Sequence, residues 1–373
     1  MNILILNWRD LANPSSGGAE RITQKYAKHW ISKGHSVFWI SNKFSGGAAN
    51  EVMDGIQIMR VGPALTRNAL QNLAFFPIFF FLVILKAFIL LYSKKISLII
   101  DEIHGVPFFT PLFFSQRKIL LVCEVAGEIW DKMWPFPINS IGKRLERGIY
   151  QLYGKTEMWA ISENTKKDIL ELNSRALVKI LPLGVDDYSR FLGQKKKNYY
   201  RAVFLARLVE MKGIEIAIDA TKKIVQQYPQ FQLIVVGRGT HEYMKKLERK
   251  IAELKIKKHV IFKGFVSENE KFELLRNSDF LFHTSYKEGF GLTVLEAGLV
   301  GTPSIIKAGS SLEELVTNDE DGFIITSADE VADAYIQSIQ QKIIARLSQK
   351  ARKKAERYLW PTVLKKSDSI TKL

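Results

Sequence analysis

Short apolar runs alternate with longer amphipathic stretches along almost the whole chain. Residues 2–9 open on a brief apolar run that predicts a buried strand, and a helical pattern follows from Ala19 to about Ser32. Gly34-His35 stops that helix, residues 36–40 read as a second strand, and 56–61 as a third. Further strands are predicted at 96–101, 119–124 and 156–162, the last leading into a helix with Ser162 as N-cap and Thr165 at its third position. A second series begins at 202–206 and continues through 231–237, 279–285 and 301–306. Strands alternating with helices in this way predict parallel sheets covered by helices.

One stretch stands out from that rhythm. Residues 73–92 are apolar except for Pro77 and Lys86, and such a run is long enough to cross a bilayer. It falls between predicted strands, however, and a span there would put strands of one sheet on opposite sides of the membrane. A helix packed on the sheet is expected instead, its outer face either covered by protein or resting in a membrane interface. Residues 106–114 add a second greasy segment to the same half.

A length of 373 residues suits two domains, and 47% hydrophobic with 25% charged residues is a globular composition. Cys123, the single cysteine, excludes an internal disulfide framework and fits a reducing compartment. The opening stretch lacks the basic start and long apolar core of a cleavable signal peptide. Net charge is +16, and about half of the excess lies from Lys342 onward, where Glu356 and Asp368 are the only acids. Such a segment suits nucleic acid, an anionic membrane surface or plain water. No zinc-ligand spacing or RNP-like aromatic motif accompanies it, so no nucleic-acid partner is expected.

The candidate chemistry centres on 288–296. Glu288 and Glu296 flank Gly289, Phe290, Gly291 and Leu292, between an apolar run and an apolar helical pattern. Glu288 would therefore lie at the carboxyl end of a strand, where open α/β sheets bind ligands. The glycines allow close backbone approach, and the helix opening at about Leu292 favours an anion at its amides. Two carboxylates so placed suit two sets of hydroxyls, such as those of a sugar and a ribose. A capping glutamate and a solvated one would give the same letters. Arg207 and Lys212, just beyond the strand at 202–206, could clamp a diphosphate or merely face water. Gly17 and Gly18 form a strand-to-helix turn that lets phosphate approach. The dinucleotide fingerprint G-x-G-x-x-G is absent there, which argues against a nicotinamide enzyme.

In these residues the chain resembles retaining glycosyltransferases of family 4. Glu288 to Glu296 matches their E-x7-E motif, and Arg207 with Lys212-Gly213 matches their R-x4-K-G donor site. The resemblance implies the GT-B arrangement, α/β with two Rossmann-like domains facing a cleft. Residues 1–184 would be the acceptor-side domain, 185–355 the nucleotide-sugar domain, and 356–373 a helix returning to the first, with a linker through 194–198. It implies transfer of a sugar from a nucleoside-diphosphate sugar to a hydroxyl acceptor with retention, without cofactor or metal. Arg207 and Lys212 would stabilise the leaving diphosphate, Glu288 would hold donor-sugar hydroxyls, and Glu296 the ribose. Gly17 and Gly18 would face the donor phosphates, Gly264 and Phe265 the base, and His104 the transferred sugar. Where many relatives carry another histidine, this chain has Glu124, Glu128 and Trp130, a departure that bears on the acceptor. The greasy segments and the basic tail add the expectation of a lipid-linked or cell-surface glycan precursor as acceptor. They also suggest a cytoplasmic protein peripheral to the inner face of the membrane. A GT-B epimerase or phosphorylase and a non-catalytic nucleotide-sugar or nucleic-acid binder are the alternatives.

Overall fold

A computed structural model describes residues 1–373 apart from 65–68, 104–105, 128–129, 132–134 and 193–199. His104, Glu128 and the expected linker at 194–198 lie outside the described residues. The chain divides into two compact units, Met1–Pro182 with Leu364–Leu373, and Leu183–Val363.

The first unit is built on strands β1 (Asn2–Leu6), β2 (Ser36–Asn42), β3 (Asn50–Met53), β4 (Ile56–Val61), β5 (Leu98–Ile103), β6 (Arg117–Val122), β7 (Glu157–Ala160) and β8 (Leu177–Ile180). Their order in the sheet is β3-β4-β2-β1-β5-β6-β7-β8, parallel except for β3. All six residues of β5 are buried, which fits a strand covered by helices on both faces. The β3 strand is an addition to the expected set. It pairs with β4 across a turn in which Asp54 and Gly55 have φ of 52° and 82°. An Asp-Gly turn with both residues at positive φ matches the twist of a tight hairpin.

Just past β1, Asp10 forms a fully buried ion pair with Arg60 on β4, at 2.7 and 2.8 Å. Ser41 donates to the same carboxylate at 2.6 Å, and Asp10 in turn accepts the Ala12 amide at 3.0 Å. Burial pushes the Asp10 pKa up, but the bonds from Arg60 and Ser41 and the guanidinium charge outweigh it and hold the carboxyl below its usual range. The loop leaving β1 is thereby fastened to two neighbouring strands.

The greasy segment is the helix Ala69–Lys94. Phe79, Val83, Ala87 and Leu90 are buried against β1, β2 and β5, whereas Ile78, Phe81, Leu85, Ile89 and Tyr92 are exposed. By length and composition alone it could cross a membrane, but only 28% of its apolar window is buried in protein. Farther on, Ser162 caps the helix Glu163–Leu172 as expected, its hydroxyl accepting the Thr165 amide at 3.0 Å. Ser162→Ala should cost about 0.5–2 kcal/mol in denaturant unfolding, the usual worth of such a cap.

The second unit holds β9 (Arg201–Leu205), β10 (Gln232–Val236), β11 (Val260–Gly264), β12 (Phe280–His283), β13 (Ser304–Lys307) and β14 (Gly322–Ile325). The order is β11-β10-β9-β12-β13-β14, all parallel. Strand order reverses between β9 and β12, and open α/β sheets bind ligands outside the carboxyl ends of the strands at such a switch point. From Lys342 the basic residues divide between the units. Those up to Arg357 belong to the second unit, where the helix Ile344–Ala355 packs Ala351 and Ala355 against Gly298. Lys365, Lys366 and Lys372 lie in the part that belongs to the first unit.

Candidate functional site

Arg207 and Lys212 leave the end of β9, and Glu288 leaves the end of β12, so the topological switch brings together residues far apart in sequence. A 3-10 turn, Glu210–Lys212, ends at Gly213, whose φ is 64°. A Cβ at Gly213 would lie 2.1 Å from the Thr284 carbonyl oxygen, so only glycine lets the two loops touch. Thr284 Oγ1 donates to the Gly213 carbonyl at 2.8 Å and the Tyr286 amide to Met211 at 2.9 Å. These bonds lock the loops together and fix the spacing of Lys212 and Glu288.

The Glu288 carboxylate is held through one oxygen. Its Oε1 accepts Lys212 Nζ at 2.6 Å, Ser285 Oγ at 2.8 Å and His283 Nε2 at 3.0 Å. Oε2 has no partner among the described residues. Burial would raise the pKa, but the hydrogen bond and charge of His283 and the charge and bond of Lys212 hold it well below the usual carboxylate range. Ser311 Oγ donates to the Glu288 carbonyl at 2.7 Å and fixes the backbone. The helix Leu292–Leu299 then begins at Gly291, whose φ of 100° and close approach to Leu312 admit no side chain.

Glu296 lies within that helix, and its Oε1 accepts Lys271 Nζ at 2.8 Å. Lys271 also sits 4.4 Å over the Phe272 ring, in reach of a cation–π attraction. Arg207 is exposed and has no ion pair among the described residues. Gly264 ends β11, and Phe265 beyond it is 78% exposed with the Arg238 guanidinium over its ring at 5.9 Å. The Phe290 ring turns inward against Tyr358, which leaves Gly289, Phe290 and Leu292 to offer backbone at the loop.

In the other unit, Gly17 and Gly18 are exposed at the start of the helix Gly18–Ser32. Glu20 accepts the Gly17 amide at 2.7 Å and an ion pair from Arg9 at 3.2 Å, so a carboxylate already occupies part of that N-terminus. Among the described residues no group of three or more His, Cys, Asp or Glu side chains is placed to hold a metal ion.

Sequence reasoning passed over His283, Ser285 and Lys271. A histidine closing an otherwise apolar strand five residues before Glu288 was the available signal for the first. Nothing in the spacing pointed to Lys271.

Residues 186–358 match the family model described as Glycosyl transferases group 1. Over 172 residues the chain is 27% identical to the phosphatidyl-myo-inositol mannosyltransferase of Mycobacterium tuberculosis, a match covering 44% of each chain. The chain spans between 24% and 47% of the length of the most similar curated relatives. Sucrose-phosphate synthase from Thermosynechococcus elongatus superposes with a TM-score of 0.82 at 16% identity, covering 100% of this chain and 98% of that one. HepE from Anabaena, solved in complex with UDP-glucose, gives 0.75 at 20% identity with 100% of both chains covered. These likenesses show the fold, two Rossmann-like α/β units of the GT-B type.

Proposed function

We propose that the protein is a retaining glycosyltransferase moving a sugar from a nucleoside-diphosphate sugar to a hydroxyl acceptor, with residues 186–358 binding the donor. One observation carries the reading: Lys212 and Glu288 meet at 2.6 Å at the sheet's switch point, inside the matched family domain. HepE's UDP-glucose complex supports a nucleotide sugar as donor.

The chemical problem is a diphosphate leaving group that gains negative charge. Arg207 and Lys212 answer it electrostatically. A lysine ammonium has three N–H groups and Glu288 takes one, so two remain for phosphate oxygens. Glu288 offers Oε2 to donor-sugar hydroxyls while Glu296 holds the ribose. His104, Gly17 and Gly18 are assigned to the sugar and phosphates by the family resemblance. The reaction uses front-face displacement, with no covalent nucleophile, cofactor or metal.

The acceptor is a lipid-linked or cell-surface glycan precursor, and the protein works peripherally at the cytoplasmic face of the membrane. The outward apolar side of Ala69–Lys94 supports this, as does the relative acting on a phosphatidyl-myo-inositol.

Arg207→Ala and Lys212→Ala should each weaken nucleoside-diphosphate binding about ten- to a hundredfold in calorimetry, the loss of one charge-assisted contact. Unchanged affinity in both would remove the clamp. Glu296→Gln should weaken the nucleotide as well. Turnover should persist in chelator, and proton NMR of the product should show the donor's anomeric configuration; an inverted product sinks the retaining reading.

A further inference from the structure

The helix Ile138–Leu152 carries an apolar stripe of its own. Ile138, Ile141, Leu145 and Leu152 are exposed at spacings of three, four and seven residues, and Phe136 precedes them at 80% exposure. That spacing keeps them on one side of the helix. The opposite side is firmly held. Tyr150 lies in the core, and Glu146 accepts the amides of Ala126 and Gly127 at 2.7 and 3.0 Å and Trp130 Nε1 at 3.1 Å. The stripe is therefore no misplaced core face.

Cations border it. Lys143, Arg144 and Arg147 are exposed; Lys143 is bonded to Asp131, while Arg144 and Arg147 have no acidic partner among the described residues. This helix also covers the same face of the sheet as Ala69–Lys94. Ile99 packs in the cluster beneath Ala69–Lys94, and Ile103, four residues along β5 and so on the same face, packs with Tyr150 beneath Ile138–Leu152. Exposed Leu112 and Phe113 belong to the same layer, Phe113 lying 6.0 Å from the Phe80 ring.

We infer that Ile138–Leu152 is the element that reads anionic phospholipid: its stripe enters the acyl boundary while Arg144 at its edge meets headgroup phosphates and Arg147, one turn on, adds to the attraction. The inference rests on the membrane reading above and names the lipid chemistry and the residues that recognise it. A second copy of this chain is disfavoured as the occupant, because a two-fold pairing of this face would set its arginines against each other. The C-terminal basic helix is the weaker source of charge, since Lys350, Arg352 and Lys354 pair with Glu320, Glu356 and Asp321.

Sedimentation of the full chain with phosphatidylcholine vesicles, with and without phosphatidylglycerol, tests it. Wild type should bind the anionic vesicles and be released by salt. Arg144→Glu with Arg147→Glu should lower that binding about tenfold or more and flatten its salt dependence. Ile141→Ser with Leu145→Ser should lower binding to both vesicle types, and Lys350→Glu with Lys353→Glu should leave it unchanged. Melting temperatures equal to wild type would show that each variant folds. Arginine variants that bind like wild type overturn the inference alone, as does salt dependence that follows the C-terminal pair. A salt-insensitive dimer broken by Ile141→Ser overturns it too. If wild type stays in the supernatant, the membrane reading falls with it, whereas calorimetric nucleotide affinity reports separately on the glycosyl-transfer reading.

Discussion

Glu288→Gln is expected to lower turnover about 10²–10³-fold while nucleoside-diphosphate affinity stays at least as high as in wild type. The reason lies in how the carboxylate is shared. Oε1 gathers Lys212, Ser285 and His283, which orients the group, and Oε2, without a partner among the described residues, is the oxygen proposed to meet the sugar. An amide is uncharged and cannot accept from all three donors with the same strength. Sugar orientation is lost, whereas Lys212 is released from an ion pair and becomes more available to phosphate. Single-turnover rates alongside calorimetry separate the two effects. A variant that loses nucleotide affinity in proportion to rate would show that Glu288 serves the diphosphate, not the sugar.

Asp10→Asn is expected to destabilise the first unit by about 3–5 kcal/mol, the cost of leaving a buried charge without its counter-ion. Arg60 would keep Glu51 at 2.8 Å and the Ala48 carbonyl, but Glu51 is partly exposed and its attraction is screened, so the loss is not made good. The sign with pH follows from Asp10's lowered pKa. Its stabilisation is fully present above the unfolded-state value, about 3.9, and is lost as pH falls through the lower folded value. The gap between wild type and variant should therefore be constant near neutrality and close in strong acid. Denaturant unfolding across pH checks this, and a gap that widens on acidification would contradict it.

What the letters reveal and what they hide divides along physical lines. Periodicity and local capping are short-range, so the Ser162 cap and the helix opening at Leu292 were readable as written. The strand Asn50–Met53 is only four residues long, with two polar residues followed by two apolar ones, so it carries no apolar alternation; its Asp54-Gly55 turn was the one clue. Ion pairs across a switch point are a product of topology. Lys212 and Glu288 were each singled out, but for different parts of the ligand, and their contact was not foreseen. Lys271 was passed over because a lysine on a polar helix looks like any solvated one. Exposure was the hardest property to read. Residues 73–92 are apolar almost throughout, so composition could not say which side the sheet covers.

The last ten residues return to the first unit, where Asp368 accepts from His29 at 2.6 Å and from Lys33 at 2.7 Å. His29 sits on the helix Gly18–Ser32 that follows β1, and Lys33 is its C-cap. Synthesis proceeds from the amino terminus, and domains generally fold as units in that order. Here the first unit needs residues 364–373, which are made after every residue of the intervening unit. In order of synthesis the second unit is therefore the one able to complete its structure first, and a released chain truncated after residue 363 should show a protease-resistant second unit beside a labile first.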